Sequence, residues 1–152
     1  GQGPVSVSPL QMAMVAQAVA NGGEMMTPHV MKEIRTSKGE LVRSYEPKVL
    51  RRSMQPDTAA ALTSMMRQVV EQGTGTRAQI PGIPVAGKTG TAQVAEGRPP
   101  HAWFIGFAPA DNPKYAIAVL VENGGDMGSE ATGGRVAAPM ASQVLSTLLL
   151  GQ

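Results

Sequence analysis

Four consecutive residues near the middle of the chain have side chains suited to binding an anionic group. They are Lys88, Thr89, Gly90 and Thr91, called here the K-T-G-T segment. The lysine supplies a positive charge, and the two threonine hydroxyls can donate hydrogen bonds. Because glycine has no Cβ, a ligand backbone can approach closely at the third position. Two classes of protein use such a segment, and each requires a different local structure around it.

The first class is the nucleotidases, whose phosphate-binding pattern G-x-x-x-x-G-K-[ST] fits residues 82–89. That loop binds phosphate through converging backbone N–H groups at the start of a helix. Here Pro84 has no N–H, and the residues after Thr89 are poor helix formers. We therefore interpret the match as a coincidence. Residues 73–78 half-fit the glycine-rich dinucleotide pattern, but they follow a helical pattern instead of a strand, which predicts a turn.

The second class of protein requires the K-T-G-T segment to lie on a β-strand, and the surrounding sequence pattern predicts a strand here. Three apolar runs joined by turn residues, at 85–94, 102–108 and 115–122, are typical of an antiparallel meander. The K-T-G-T segment would lie on the edge strand, where an extended peptide can add as a further strand. A strict pleat directs Lys88 and Thr89 to opposite faces, so twist or a bulge must bring both to one cleft. The run at 102–108 predicts a central strand covered on both faces, with Trp103 in the core by default and at the border of the cleft as the alternative.

Three helices are predicted beside these strands. The first begins with Ser8 as N-cap, Pro9 in the first helical position and Gln11 completing a capping box, and it ends at residues 21–23. The second covers residues 56–72. The third covers residues 135–150, with Pro139 as an alternative start and with these apolar residues facing a sheet: Val136, Met140, Val144, Leu145 and Leu148.

Irregular segments connect the helices and strands. Residues 29–35 and 41–45 predict a small hairpin, residues 46–53 a linking segment, and residues 123–128 a flexible loop. His29 has no other histidine, cysteine or paired carboxylate at ligand spacing, so a structural role is favoured over a metal site. Arg77 is a cation near the predicted cleft and is left without a role.

With its neighbours, the K-T-G-T segment resembles the transpeptidase domain of class B penicillin-binding proteins. K-T-G is a motif of penicillin-binding proteins and class A β-lactamases. The resemblance extends over nearly the whole chain, in the family's order, through residues 1–3 (G-Q-G), 8–13 (S-P-L-Q-M-A), 73–75 (G-T-G), 87–92 (G-K-T-G-T-A), 103–109 (W-F-I-G-F-A-P) and 137–139 (A-A-P). It implies an α+β fold of the β-lactamase and transpeptidase type, in which helices flank an antiparallel sheet.

The resemblance also implies a role for each residue of the segment. Lys88 would supply positive charge and bond to a serine of the family's second motif. The hydroxyls of Thr89 and Thr91 would bind the terminal carboxylate of a D-Ala-D-Ala stem peptide or the carboxylate of a β-lactam. The Thr91 N–H would complete an oxyanion hole, and Gly90 would admit the ligand backbone. No cofactor or metal is implied, and His101, close to the motif, is assigned a structural role because the family attributes proton transfer to another residue.

One departure from the family is as informative as the match. Enzymes of this family carry a nucleophilic serine in S-x-x-K and a second serine in S-x-N, both upstream of G-Q-G, and neither pattern occurs in the sequence. Residues 1–152 are therefore predicted to be the C-terminal portion of a transpeptidase domain, inactive alone and completed by an upstream segment or chain. D,D-Carboxypeptidase or β-lactamase activity stays open, as does a catalytically silent module with this fold.

Composition restricts the function further. The chain has 152 residues, enough for a core of its own, with 42% hydrophobic and 3% aromatic residues. A net charge of +2 and few aromatic side chains argue against nucleic-acid binding. With no cysteine there are no disulfides or thiolate metal sites. No run predicts a membrane span, and the resemblance implies an extracytoplasmic location, attached to the membrane only through an upstream anchor.

Overall fold

The structure is a computed structural model that describes residues 5–151, so the predicted landmark G-Q-G at residues 1–3 lies outside the described residues. Within that range the helices are α1 (Pro9–Ala20), α2 (Pro56–Glu71) and α3 (Ala138–Leu150). The strands are β1 (Glu24–Met26), β2 (Glu33–Arg35), β3 (Leu41–Ser44), β4 (Val49–Arg52), β5 (Ala86–Ala92), β6 (His101–Ala108) and β7 (Tyr115–Val121). The predicted α+β class is confirmed.

Helix α1 begins with the predicted capping box. The backbone N–H of Gln11 donates to the Ser8 hydroxyl at 3.2 Å, and the Ser8 N–H donates to the Gln11 side chain at 2.8 Å. Two of the N–H groups that a helix start leaves unpaired are satisfied in this way. Because Pro9 lacks an N–H, it suits the first turn. The predictions for α1 and for α2 are confirmed, each to within one or two residues at its ends.

Strands β5, β6 and β7 form the predicted antiparallel meander, in the order β5-β6-β7. Lys88 lies opposite Ile105, Gly90 opposite Trp103 and Thr91 opposite Ala102, with no shift of register along β5. Within the described residues β5 pairs with no other strand than β6, so the predicted edge position of the K-T-G-T segment is confirmed. Strand β7 likewise pairs with β6 alone in this part of the chain.

The core lies between one face of this sheet and helix α3. Phe104 and Leu145 are almost fully buried, and small residues of α3 (Ala138 and Ala141) are in contact with the same cluster. Small side chains let a helix approach a sheet closely, and burying each large apolar side chain contributes about 1.5–3 kcal/mol. A second cluster, which includes Phe107 and Met66, lies between the sheet and α2.

Two details of the prediction for α3 differ from the structure. It begins at Ala138 with Pro139 in its first turn, so the alternative start is confirmed, and residues Gly133–Ala137 form a separate π-helical turn before it. The predicted buried face is largely wrong, because Met140, Val144 and Leu148 are 44%, 47% and 40% exposed and of the predicted set only Leu145 is among the buried core residues. Nine of the thirteen residues of α3 are apolar, so its apolar surface is wider than its buried face and periodicity could not select that face.

The predicted hairpin is present as β2 paired with β3. The prediction that residues 46–53 are only a linking segment is wrong in part, because Val49–Arg52 form β4 and pair with β1. That pairing joins residues far apart in sequence, which a local pattern does not reveal. At the predicted loop, Glu122–Glu130 forms short helical turns interrupted by four residues at positive φ.

In the described part of the chain, every helix is too short or too polar to cross a membrane.

Candidate active site

The K-T-G-T segment lines a cleft of about 510 Å³ on the face of the sheet that does not hold the main core. The cleft is bordered by residues 5–7 and Met12 on one side and by residues 88–94 of β5 and the following turn on the other. Three residues of β6 line it as well: His101, Trp103 and Ile105. All four residues predicted for the site are thus brought to one cleft.

Lys88 and Thr89 both line this cleft although β5 has no bulge, so of the two alternatives, twist or a bulge, the bulge is excluded. The register of β5 with β6 is regular, and the Lys88 side chain bends back so that its Nζ donates to the Thr89 carbonyl oxygen at 2.6 Å. Lys88 is exposed, so its ammonium group is available to a ligand in the cleft. Thr91 is exposed at the same cleft.

Thr89 is half-buried and bonded at both ends. Its carbonyl accepts from Lys88, and its hydroxyl oxygen lies 2.6 Å from the hydroxyl oxygen of Thr74. Thr74 follows α2 in the turn that carries the G-T-G landmark. The sequence predicts a turn here, and it favours capping and turn chemistry for these hydroxyls over a position that faces a cleft. A G-T-G landmark ahead of K-T-G-T was the available signal, but a contact between two distant hydroxyls cannot be read from spacing.

Trp103 and Ile105 correct the prediction for the central strand. Buried residues alternate with half-exposed ones over most of β6, so one face is packed and the other borders the cleft. The indole of Trp103 therefore lines the cleft instead of lying in the core. Its position opposite Gly90 places it directly beside the K-T-G-T segment.

His101 also lines the cleft, and a backbone contact fixes its orientation. The N–H of Asn123 donates to His101 Nδ1 at 2.9 Å. A ring nitrogen that accepts a hydrogen bond carries no proton, so the proton of the neutral ring is on Nε2. The bond supports the structural role predicted for His101, because it ties β6 to the turns after β7.

The two remaining candidates lie away from the cleft. Arg77, which the sequence left without a role, donates from Nη1 to the Arg135 carbonyl at 3.4 Å and is not part of the cleft wall. The Nδ1 atom of His29 lies 2.9 Å from the Met31 carbonyl, and its ring stacks on Tyr45. Among residues 5–151, no three histidine, aspartate or glutamate side chains are grouped so that they could hold a metal ion.

The backbone of β5 is also held from a second element. A Cβ on Gly133 would lie 2.1 Å from the Trp103 carbonyl oxygen and 2.6 Å from that of Gly90. Only glycine allows so close an approach, so the turn before α3 packs directly on the Gly90–Trp103 pair. The phosphate-loop alternative is excluded by the secondary structure, because the segment lies within β5, which continues as a strand to Ala92, and no helix begins directly after Thr89.

Comparison with known families agrees with this fold. Residues 1–146 match the family described as the penicillin binding protein transpeptidase domain, and the chain belongs to that family. Within it, the chain is 42% identical to the peptidoglycan D,D-transpeptidase PbpA of Mycolicibacterium smegmatis over 98% of its length, and 40% identical to PbpA of Mycobacterium tuberculosis over all of it. These matches cover only 30% and 31% of the two relatives.

A solved structure of a relative gives the same result. The ceftriaxone acyl-enzyme complex of penicillin-binding protein A from M. tuberculosis superposes with a TM-score of 0.92 at 40% identity, covering 98% of this chain and 34% of that one. The sequence His101-Ala102-Trp103 at the start of β6 indicates a likeness to actinobacterial penicillin-binding protein A, and these relatives confirm that likeness.

Proposed function

We propose that this chain forms half of the active site of a peptidoglycan D,D-transpeptidase and that an upstream portion of the same protein supplies the nucleophilic serine. The observation that carries the proposal is the K-T-G-T segment on an open edge strand, lining a cleft of about 510 Å³. Family membership and the acyl-enzyme complexes solved for relatives support the reaction class. The four residues keep the roles that the resemblance implies.

The proposed reaction is acyl transfer in two steps. The serine oxygen attacks the carbonyl carbon between the last two D-Ala residues of a stem peptide, forming an ester and releasing the terminal D-Ala. An amine of a neighbouring strand then attacks the ester, forms the cross-linking amide and frees the serine. A β-lactam follows only the first step: its ring C–N bond opens and the acyl group stays on the serine.

Each residue of the K-T-G-T segment contributes to the first step. The donor peptide adds along the edge of β5 as an extra strand, passing close to Gly90. The hydroxyls of Thr89 and Thr91 hold its terminal carboxylate, and the positive charge of Lys88 favours anionic groups at the cleft. The Thr91 N–H and the nucleophile's own N–H stabilise the oxyanion, and losing one such donor typically costs about 10²–10³ in rate.

Two exposed apolar surfaces are suited to contact with the upstream portion. One is the cleft face with Trp103 and Ile105. The other is a groove beside β7, which Val119 and Val144 help to line and which continues to the exposed apolar side chains of α3. We infer that an upstream portion of the protein covers both and, through a membrane anchor of its own, holds the domain outside the cytoplasm, where peptidoglycan is cross-linked.

Labelling with a fluorescent penicillin tests the proposal. The complete protein is expected to become covalently labelled, whereas this chain alone is not, and adding the upstream portion to the chain should restore labelling. Lys88→Ala in the complete protein is expected to slow acylation by about a hundredfold at an unchanged melting temperature, because the charge is exposed and supports no core contact.

Lys38→Ala is the matched control, since Lys38 is an exposed lysine in the turn between β2 and β3. Absence of labelling in the complete protein would identify a catalytically silent module. Rapid release of the label by water would identify a carboxypeptidase or β-lactamase. Equal acylation rates for the Lys88→Ala and Lys38→Ala proteins would remove Lys88 from the site.

A further inference from the structure

The turn after α2 touches the K-T-G-T segment through a single hydroxyl. Thr74 Oγ1 lies 2.6 Å from Thr89 Oγ1, although the two residues are 15 positions apart. Hydroxyl hydrogen bonds have oxygen separations of 2.5–3.0 Å, so the contact is at the short end of the normal range. Thr74 is not part of the cleft wall, and a ligand in the cleft would meet Thr89 and not Thr74.

Two elements fix the position of Thr74. The N–H groups of Gly73 and Gly75 on either side of it both donate to the Val69 carbonyl, at 3.1 and 2.9 Å, which ties the turn to the last turn of α2. On its other side, a Cβ on Gly134 would lie 2.1 Å from the Thr74 carbonyl oxygen. The segment before α3 is therefore packed against the Thr74 backbone. The position of the Thr74 hydroxyl is therefore fixed by α2 on one side and by the segment before α3 on the other.

We propose that Thr74 is a positioning residue that directs the hydroxyl hydrogen of Thr89 into the cleft. A threonine hydroxyl has one hydrogen and accepts through its lone pairs. When Thr74 donates to Thr89 Oγ1, the hydrogen of Thr89 is left for a group in the cleft. Because hydrogen bonds in a chain polarise one another, Thr89 becomes a better donor to an anion. This inference rests on the proposed role of Thr89 in carboxylate binding.

The proposal makes Thr74 a determinant of selectivity for anionic ligands. Without a ligand, either hydroxyl can be the donor. A carboxylate beside Thr89 accepts a hydrogen bond and donates none, so it requires the order Thr74 to Thr89 to carboxylate. A ligand whose carboxylate is esterified is a weaker acceptor and no longer an anion. The hydroxyl of Thr74 should therefore matter for the acid and little for the ester.

The test compares acylation of the complete protein by a penicillin and by its methyl ester. Thr74→Val keeps the shape of the side chain and removes the hydroxyl. It is expected to lower the acylation rate constant for the free acid by about three- to tenfold, the range for one hydrogen bond, and to leave that for the ester nearly unchanged. Thr74→Ser should restore the wild-type ratio of the two rates. Thr76→Val is the control, because Thr76 is an exposed threonine two residues further on.

A second comparison separates this inference from the proposed function. Thr74→Val should have no further effect in a protein that already carries Thr89→Val, because the hydroxyl it positions is gone. If Thr89→Val slows acylation by the acid and Thr74→Val does not, the inference is overturned and the proposed function stands. If Thr89→Val and Lys88→Ala both leave acylation unchanged, the proposed function fails. The ratio of the acylation rates for the acid and the ester does not depend on the fraction of folded protein. It therefore tests the inference even when a variant is destabilised.

Discussion

The meander β5-β6-β7 and the two small strand pairs differ in what holds them. In the meander Phe104 and Phe107 are completely buried between the sheet and the helices. In β2, β3 and β4 every residue is exposed. These small strand pairs are joined by backbone bonds and by contacts between exposed side chains, such as the Arg52–Glu24 ion pair at 2.5 Å and the stacking of His29 on Tyr45.

This difference shows which part of the molecule depends on close packing. Exposed ion pairs contribute about 0–1 kcal/mol each, so apart from the buried Met25 of β1 the small strand pairs gain little from any single side chain. In the meander, glycines allow backbone to pack on backbone at the Gly90–Trp103 pair, and little space is left for adjustment. The cleft is therefore built on the region where small changes of volume have the largest consequences.

The largest expected contrast is between core and hairpin truncations. Phe104→Ala should lower the free energy of unfolding by about 3–5 kcal/mol, because it removes contacts and leaves a cavity in the main core. Leu41→Ala, in an exposed strand of the hairpin, should change it by no more than about 0.5 kcal/mol. Melting temperatures of the complete protein check both. A comparable loss in the two variants would abolish the contrast.

A smaller effect is expected for Gly133→Ala, which adds one methyl group where backbone atoms leave no room. Overpacking of this kind costs about 1–3 kcal/mol, and the Gly90 peptide should shift with it. Both the melting temperature and the rate of penicillin acylation should fall. Ser129→Ala, at an exposed position four residues earlier, serves as the control. A Gly133→Ala protein with wild-type stability and acylation would show that the close approach is dispensable.

The smallest effect concerns charge in the hairpin. The Arg35 guanidinium donates to the Glu33 carboxylate and lowers the pKa of that carboxyl. A lowered folded-state pKa means that Glu33 adds stability above its ordinary pKa and loses it as the pH falls through the lowered value. A side-chain NMR titration should show the low midpoint, and Arg35→Gln should raise it. An unchanged midpoint in Arg35→Gln would assign the shift to another cause.

The sequence predicted most of what local signals determine. Ser8 and Gln11 mark the start of α1 because a capping box involves residues only three positions apart. The meander and its edge strand follow from apolar runs separated by turn residues. The four residues of the K-T-G-T segment were placed correctly in the fold for the same reason.

What the sequence could not predict depends on long-range packing. Strand β4 pairs with β1 across more than twenty residues, and nothing local to residues 49–52 indicates its partner. The apolar surface of α3 is wider than the face that it buries, so close packing of Ala138 and Ala141 decides which part of it faces the sheet. Trp103 was assigned to the core because its strand is apolar on both faces. The Thr74–Thr89 contact is another feature that depends on long-range packing and could not be predicted from the sequence.

Within residues 5–151, strand β7 pairs with another strand on one side only, with β6, and this has a practical consequence for producing the polypeptide. Its seven residues, Tyr115–Val121, include no charged residue, no proline and no bulge, which are the devices that usually keep strand edges from joining other chains. Expressed by itself, the polypeptide is expected to self-associate and to precipitate on concentration. Co-expression with the upstream portion should keep it in solution.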